Sequence, residues 1–494
     1  MPLRAKVIPQ QRPPPSAAPP QKPSEAKKSP ENDPEDVLFN TLYGLRSMEL
    51  HRPKKLNALN LSMIDKIEAR LLEWAKSDMA NVIVMKGAGD RAFCAGGDVG
   101  ALAYDNKQGR VAKSIDYFRR EYQLDYLIAT YPKPYVAFMD GITMGGGVGL
   151  SVHAPFRIAT ERTVFSMPET SIGFFPDVGA SFFLPRLPGA IGTYLGMTSE
   201  RLTGANVFYS RIATHYLHST SLPALESRLA ELRFDDYDPL PTRLAAVNRT
   251  IDEFATGLPH DQPMHLAGPL RAAIDRIFSL PTMDDILGAL AAEAAAPSFP
   301  AGAAWAAHTL ATLRARSPTS LHVTLKQMRL GRSWTLERAF RREHQMAARF
   351  MARSDFVEGV TAVLRDRRAP RWDPASLDDV LPEDRVAEWY FQVDKDLAPL
   401  ELGGRTEEER WAALSEGRAE EDEGAEWERS ALFALPSERD IEAVISAGGL
   451  TPKGVVRKML AATEMKQGVR EVVEEVLARK TRLDDKGIVE WIRE

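Results

Sequence analysis

Two apolar runs organise the first third of the chain. NVIVMKG at residues 81–87 ends at Gly87, and YVAFM at residues 135–139 ends at Asp140 and Gly141. Their apolarity is continuous rather than alternating, which predicts strands covered on both faces. Residues 61–74, ahead of the first run, and residues 111–128, between the two, space their apolar positions as helices do. Strands alternating with helices predict a layered α/β core. The alanine-rich stretch over residues 287–313 is interrupted by Glu293, Pro297 and Pro300. It reads as two short buried helices, and no membrane span is expected. Near the end, Val469, Val472, Val473, Val476 and Leu477 recur at helical spacing.

The two biased segments read differently. Ten of the first 34 residues are proline, and the first acidic residue is Glu25, after Arg4, Lys6, Arg12 and Lys22. Proline removes backbone donors, so this start should not fold alone. An acid-poor basic start permits a mitochondrial presequence, and a disordered partner-binding arm stays open beside it. Residues 407–428 hold ten acidic residues against Arg410 and Arg418, which reads as a solvated helix or loop. With 63 Lys plus Arg against 68 Asp plus Glu, the net charge of -5 speaks against a globally basic nucleic-acid binder. One cysteine, Cys94, excludes an intrachain disulfide, and nine scattered histidines without an H-E-x-x-H spacing give a zinc site little support.

Glycine clusters follow the apolar runs, FCAGGD at residues 93–98 and GITMGGGVGL at residues 141–150. Such sequences let a ligand approach peptide N–H groups. If Gly146 opens a helix, its N–H is free of intrahelical partners. A second N–H from Gly97 could meet it across a cleft, and two convergent donors make an oxyanion hole. An isolated glycine triplet is equally a tight turn. Ser151 lacks a G-x-S-x-G elbow, so a serine triad is not expected. A third cluster, FSMPETSIGFFPDVG at residues 165–179, sets Glu169 and Asp177 in an apolar loop, where carboxylates are costly unless needed or paired. A turn between them could bring both to one pocket, as base or nucleophile and as substrate contact, although helix capping explains them too.

Taken together, these stretches resemble the enoyl-CoA hydratase/isomerase (crotonase) superfamily and, within it, the 3-hydroxyisobutyryl-CoA hydrolase family. HRPKKLNALN at 51–60, PKPYVAFMDGITMGGGVGLSVH at 132–153, FSMPETSIGFFPDVGASFFLPRL at 165–187, SPTSLHVTLKQM at 317–328 and DFVEGVTAVLRD at 355–366 carry the likeness. It runs from about residue 36 to 372 and weakens beyond. The resemblance implies an α/β crotonase-like spiral of ββα units with a helical C-terminal region. The organisation it implies is a proline-rich segment over 1–35, a catalytic core over 36–235, a helical region over 236–372, a linker with the acidic stretch over 373–430 and a helical extension over 431–494.

The family's roles fall on particular residues. Gly97 and Gly146 would be the oxyanion-hole amides, Glu169 the essential glutamate and Asp177 the added aspartate of the hydrolase branch. Glu121 would contact substrate together with Gly146, Glu169 and Asp177; from its spacing alone it reads as a solvated helix residue. The hydratases' first catalytic glutamate falls on Gly149. The implied reaction is hydrolysis of 3-hydroxyisobutyryl-CoA in valine breakdown, in the mitochondrial matrix, without a separate cofactor or metal because CoA is part of the substrate. Arg52, Lys54 and Lys55 are candidate phosphate contacts by charge, with a basic exposed turn as the alternative. Cys94 reads as a packing residue. Fungal relatives in this family are also components of the mitochondrial small ribosomal subunit, so docking there, with or without catalysis, and another crotonase-type reaction both stay open.

Overall fold

The computed structural model describes residues 35–235, 237–379, 389–403 and 431–492. The proline-rich start over 1–34 and the acidic stretch over 407–428 lie outside the described residues. The described chain opens with an antiparallel pair, β1 (Val37–Leu42) and β2 (Leu45–Leu50). Helix α1 (Leu61–Ala75) begins where the Asn60 side chain accepts a hydrogen bond from Met63 N at 2.8 Å, an N-cap that satisfies one orphan donor. A repeating unit follows. β3 (Val82–Gly87) and β4 (Ala92–Cys94) lead to α2 (Val99–Lys107) and α3 (Val111–Ala129). β5 (Tyr135–Met139) and β6 (Ile142–Met144) lead to α4 (Gly146–Val152). β7 (Phe156–Ala159) and β8 (Val164–Ser166) lead through a loop to α5 (Ala180–Phe183) and α6 (Ile191–Thr198). β9 (Leu202–Thr203), α7 (Ala205–Tyr209) and β10 (His215–Tyr216) complete the spiral.

In each unit the first strand joins one sheet and the second strand another. The larger sheet has the order β1-β2-β3-β5-β7-β10 and the smaller β4-β6-β8-β9. Every neighbour from β2 to β10 in the larger sheet is parallel. The continuous apolar runs are explained by cover on both faces. Ile83, Met85, Tyr135, Ala137 and Met139 enter the main core. Val82, Val84, Val136 and Phe138 point the other way, onto Leu225 and Leu229 of α8 (Leu222–Ala230) and Val247 and Ile251 of α9 (Leu240–Asp252). The short strands β4, β6 and β8 sit inside the glycine clusters and the third loop, where three-residue lengths leave no periodicity to read.

Helices α10 (Gly268–Phe278), α11 (Met283–Ala295), α12 (Gly302–Ala315), α13 (Pro318–Gly331), α14 (Leu336–Met351) and α15 (Ser354–Gly359) follow. The alanine-rich stretch is two helices, α11 and α12. It differs from the expectation in that each buries only one face, through Ile286 and Leu290 or Ala306 and Leu313. No helix of the described residues is long and apolar enough to cross a membrane.

The extension holds α16 (Glu438–Ser446), α17 (Pro452–Ala462) and α18 (Val469–Lys480), then a hairpin of β11 (Thr481–Leu483) and β12 (Val489–Trp491) that no pattern announced. Far from trailing as a tail, it is built into the body. Phe433 stacks on Phe156 of β7 at 4.8 Å between ring centroids, and Gln467 Nε2 donates to the Tyr216 carbonyl at 2.5 Å. Arg479, whose side chain is 5% exposed, donates to Glu438 at 2.6 Å and Glu475 at 2.9 Å. Arg271 of α10 meets the same Glu438 at 2.8 Å and Asp275 at 2.9 Å. Removing one partner from a buried network leaves charge uncompensated. Arg479→Met should therefore lower the unfolding free energy by about 3 kcal/mol, read from a denaturant midpoint. An unshifted midpoint would mean that apolar packing alone seats the extension.

Candidate active site

Three elements converge on a buried group of carboxyls. The first is the loop after β4, tied down by Leu59 N donating to Gly96 O and Asp98 N donating to Leu59 O, both at 2.8 Å. This leaves the Gly97 N–H facing α4. The second is α4, which Gly146 opens as the glycine triplet anticipated. A Cβ on Gly146 would lie 3.4 Å from Gly97 N and would collide with Glu121 Oε1. Among the described residues neither the Gly97 nor the Gly146 N–H donates a hydrogen bond. The third is the loop from β8, where Glu169 heads a short helical turn and Asp177 follows one further turn of chain.

Helix α3 supplies what faces α4. Glu121 is 2% exposed and accepts from Tyr117 Oη at 3.2 Å. It is thus buried, not solvated as its spacing suggested. Tyr122 Oη donates to Asp177 Oδ2 at 2.8 Å, linking α3 to the loop. Asp125, one helical turn after Glu121, is wholly buried, and neither of its carboxyl oxygens has a hydrogen-bond partner among the described residues. It packs against Gly149, where a Cβ would lie 2.7 Å from Asp125 Cγ. Glu169 and Asp177 are each 4% exposed, and Glu169 Oε2 also lacks a partner among the described residues. Asp125 escaped the sequence reading, because on a helix its spacing from Glu121 reads as a charged outer stripe.

The loop carrying Asp177 is held from outside. Glu343 of α14 accepts from Gly179 N and Ser181 N, both at 2.7 Å. His153 Nε2 meets the Val178 carbonyl at 2.8 Å, and Gln327 Nε2 donates to Pro176 O at 2.5 Å. Val178 takes a φ of 55°, a left-handed conformation costly for a β-branched residue, so this turn depends on those contacts.

Burial sets the electrostatics. It pushes Glu169 and Glu121 well above the ordinary carboxylate range, and the charge of Asp177 adds to the effect. Burial likewise raises Asp125, with Glu121 the next cause. Asp177 is raised by burial to about 7, its rise restrained by the Tyr122 hydrogen bond. Glu343 is raised by burial to about 8. Burial thus weakens every acid of the cluster, and the repulsion between their charges adds to it.

The remaining candidates lie apart. Arg52 donates to Asp98 at 3.0 Å and to the Ala58 carbonyl, with its side chain 12% exposed. It shares the Asp98 carboxylate with Lys55, so the turn keeps a net positive charge. Lys55 also pairs with Asp98, at 2.7 Å, but stays 54% exposed, and Lys54 is exposed. Cys94 is buried and its thiol is pushed up to about 12 by burial. A cavity of about 890 Å³ opens elsewhere, between α6, α10, α13 and the extension, and includes none of these residues.

A group whose folded pKa is raised binds its proton more tightly in the native state. Its contribution is present at low pH and is lost as pH rises through the folded value. For Asp177 the window runs from 3.8 to about 7. Asp177→Asn should therefore flatten the fall in unfolding free energy across that window, measured by denaturant titration at several pH values. An identical slope in parent and variant would show that Asp177 does not titrate there.

Comparison with known proteins agrees with this architecture. The family model described as enoyl-CoA hydratase/isomerase matches residues 45–391. The chain is 54% identical to small ribosomal subunit protein mS47 of Neurospora crassa, over 100% of this chain and 94% of that one. It is 43% identical to the mitochondrial 3-hydroxyisobutyryl-CoA hydrolase of Gallus gallus, over 70% of this chain and 87% of that one. Among solved structures, a carnitinyl-CoA dehydratase from Mycobacterium thermoresistibile aligns with a TM-score of 0.63 at 34% identity, covering 75% of this chain and all of that one. An enoyl-CoA hydratase from Rhodobacter sphaeroides gives 0.60 at 33% identity, covering 72% and 97%. With this α/β spiral and a family match across most of its length, the chain belongs to the enoyl-CoA hydratase/isomerase, or crotonase, superfamily.

Proposed function

We propose that this chain is a component of the mitochondrial small ribosomal subunit that retains an acyl-CoA thioester hydrolase site. The observation that carries the ribosomal assignment is extent. The likeness to the Neurospora mS47 spans the whole chain, whereas the superfamily match stops at residue 391 and the chicken hydrolase match covers 70%. The extension over 431–492 lies beyond that family match and is packed firmly into the body, so it presents a built surface for docking. Its proposed place is the mitochondrial matrix; the similar hydrolase of Gallus gallus is named mitochondrial.

The site geometry supports a second, compatible reading: hydrolysis of 3-hydroxyisobutyryl-CoA to 3-hydroxyisobutyrate and CoA, a step of valine breakdown. The free N–H groups of Gly97 and Gly146 converge where a thioester oxygen would sit, and fixed donors there stabilise the charge that develops as the carbonyl carbon is attacked. Glu169 drives the attack, either adding to the carbon to form a mixed anhydride or taking the proton of the attacking water. The carbon–sulfur bond then breaks and CoA leaves as the thiolate, which takes up a proton supplied by the reacting water; on the anhydride route water then cleaves the anhydride, freeing the acid and restoring Glu169. Glu121 and Asp177 position the acyl group's hydroxyl. Lys54 and Lys55 remain candidate phosphate contacts. CoA belongs to the substrate, and no separate cofactor or metal is invoked.

For the ribosomal assignment, tagged full-length protein in a mitochondrial lysate should sediment in sucrose gradients with the small subunit and stay there at raised salt. Sedimentation as free protein at every salt concentration would overturn it. For the site, purified protein should release CoA thiol from 3-hydroxyisobutyryl-CoA, and Glu169→Gln should lower that rate by about 10²- to 10⁴-fold with its thermal midpoint little changed. Unaltered turnover in the variant would remove Glu169 from the chemistry. In single turnover in ¹⁸O-water, label in the Glu169 carboxyl establishes the anhydride route, since general-base attack places label only in the product acid.

A further inference from the structure

The cavity of about 890 Å³ between α6, α10, α13 and the extension has the size of a small-ligand pocket. None of Gly97, Gly146, Glu169 and Asp177 lines it. Its wall carries Arg276 of α10, Arg329 and Arg332 at the end of α13, and Arg479 and Lys480 of the extension. Among the described residues, Asp275 and Glu438 are the carboxylates of that lining, and Arg271 and Arg479 pair with both. Arg276 pairs with Glu293 at 2.5 Å. Arg329 and Arg332 have no such counter-charge. Arg329 Nη2 donates to the carbonyls of Phe278 at 2.8 Å and Leu280 at 2.7 Å, and Nη1 to Thr193 Oγ1 at 3.3 Å. These partners are neutral, and Nε has none among the described residues. Burial lowers the Arg329 pKa, and no carboxylate offsets it. Capping the last carbonyls of α10 explains where this guanidinium sits but not what balances its charge. Arg332 is exposed and makes no hydrogen bond or ion pair among the described residues.

The kind of anion follows from these groups. Residues three apart on a helix are neighbours, so Arg329 and Arg332 stand side by side on the wall. A guanidinium already fixed by three acceptors loses little freedom when a ligand binds. Arginine forks fit phosphate oxygens two at a time. One phosphate group carries close to two charges and three acceptor oxygens, so it can serve two adjacent cations at once, which a single carboxylate does poorly. No aromatic side chain lines the cavity, so it offers a nucleobase no stacking platform. We propose that this cavity binds a small, non-aromatic molecule bearing phosphate groups, with Arg329 and Arg332 as its main contacts. The site is separate from the carboxyl cluster and rests on neither role proposed above. Because α10, α13 and the extension all supply cations, a bound phosphate compound also ties the extension to the body.

The test is calorimetry on the full-length protein at about 0.15 M salt, where exposed charges beyond about 8 Å are screened. Inorganic tripolyphosphate is the probe, and citrate, whose charges are all carboxylates, is the comparison. Tripolyphosphate should bind, and citrate should bind about tenfold more weakly or worse. Arg332→Glu and Ala272→Glu, both at exposed positions of the lining, should each weaken tripolyphosphate about tenfold or more, as for one lost charged hydrogen bond, with thermal midpoints little changed. Lys113→Glu makes the same charge change as Arg332→Glu at an exposed position of α3 outside the lining, and should stay within about twofold of the parent. Saturating 3-hydroxyisobutyryl-CoA, added in the Glu169→Gln background, should leave tripolyphosphate binding unchanged. No binding to the parent, equal losses in all three charge variants, citrate binding as tightly, or displacement by the thioester would each overturn the proposal. Oligouridine that binds more tightly than tripolyphosphate and is lost in Arg332→Glu would put an RNA backbone in place of the small ligand, and would overturn it too.

Discussion

The site depends on how closely α3 and α4 approach. Glycines at 146 and 149 remove the side chains that would hold the helices apart, and Glu121 and Asp125 fill the space. That contact takes two carboxyls out of water and sets them beside Glu169 and Asp177. Desolvation then governs the chemistry: each acid is raised first by burial, and no Lys or Arg acts on Glu121, Asp125 or Asp177 strongly enough to reverse it. In the proposed reaction the negative charge on the substrate oxygen is taken up by peptide N–H groups, and a desolvated Glu169 carboxylate is the stronger base or nucleophile for it.

The loop bearing Asp177 shows how such a pocket is kept in register. Glu343 reaches from α14, more than 160 residues along the chain, to bind two amides of the turn. The helical region after the spiral thus completes the site from behind. Its own carboxyl is raised by burial to about 8, so the support and the site share one low-dielectric volume.

The extension attaches elsewhere. Its anchors are α10 through Arg271, β7 through Phe156 and β10 through Tyr216. The loops that carry Gly97, Gly146, Glu169 and Asp177 take no part in these anchors. Docking to a large assembly through the extension therefore need not close the carboxyl site. This physical separation makes the two proposed roles compatible in one chain.

Much of this was legible in the residues alone. The two apolar runs are β3 and β5, the helical spacings over 61–74 and 111–128 are α1 and α3, and Gly146 does open a helix. Periodicity survives in sequence because a buried face must be apolar whatever covers it. The motif resemblance placed the carboxyls of the third loop. Short strands, the terminal hairpin and the fate of individual charges were not legible. Arg52 reads as a phosphate contact by its charge, and Asp98, 46 residues away, lies against it; Glu121 reads as solvated by its spacing, and Gly146 lies against it. Local sequence sets the period and the caps. Whether a charged side chain faces water, a partner or a dry pocket is decided by what the tertiary fold packs over it, because desolvation belongs to the three-dimensional neighbourhood and not to the residue.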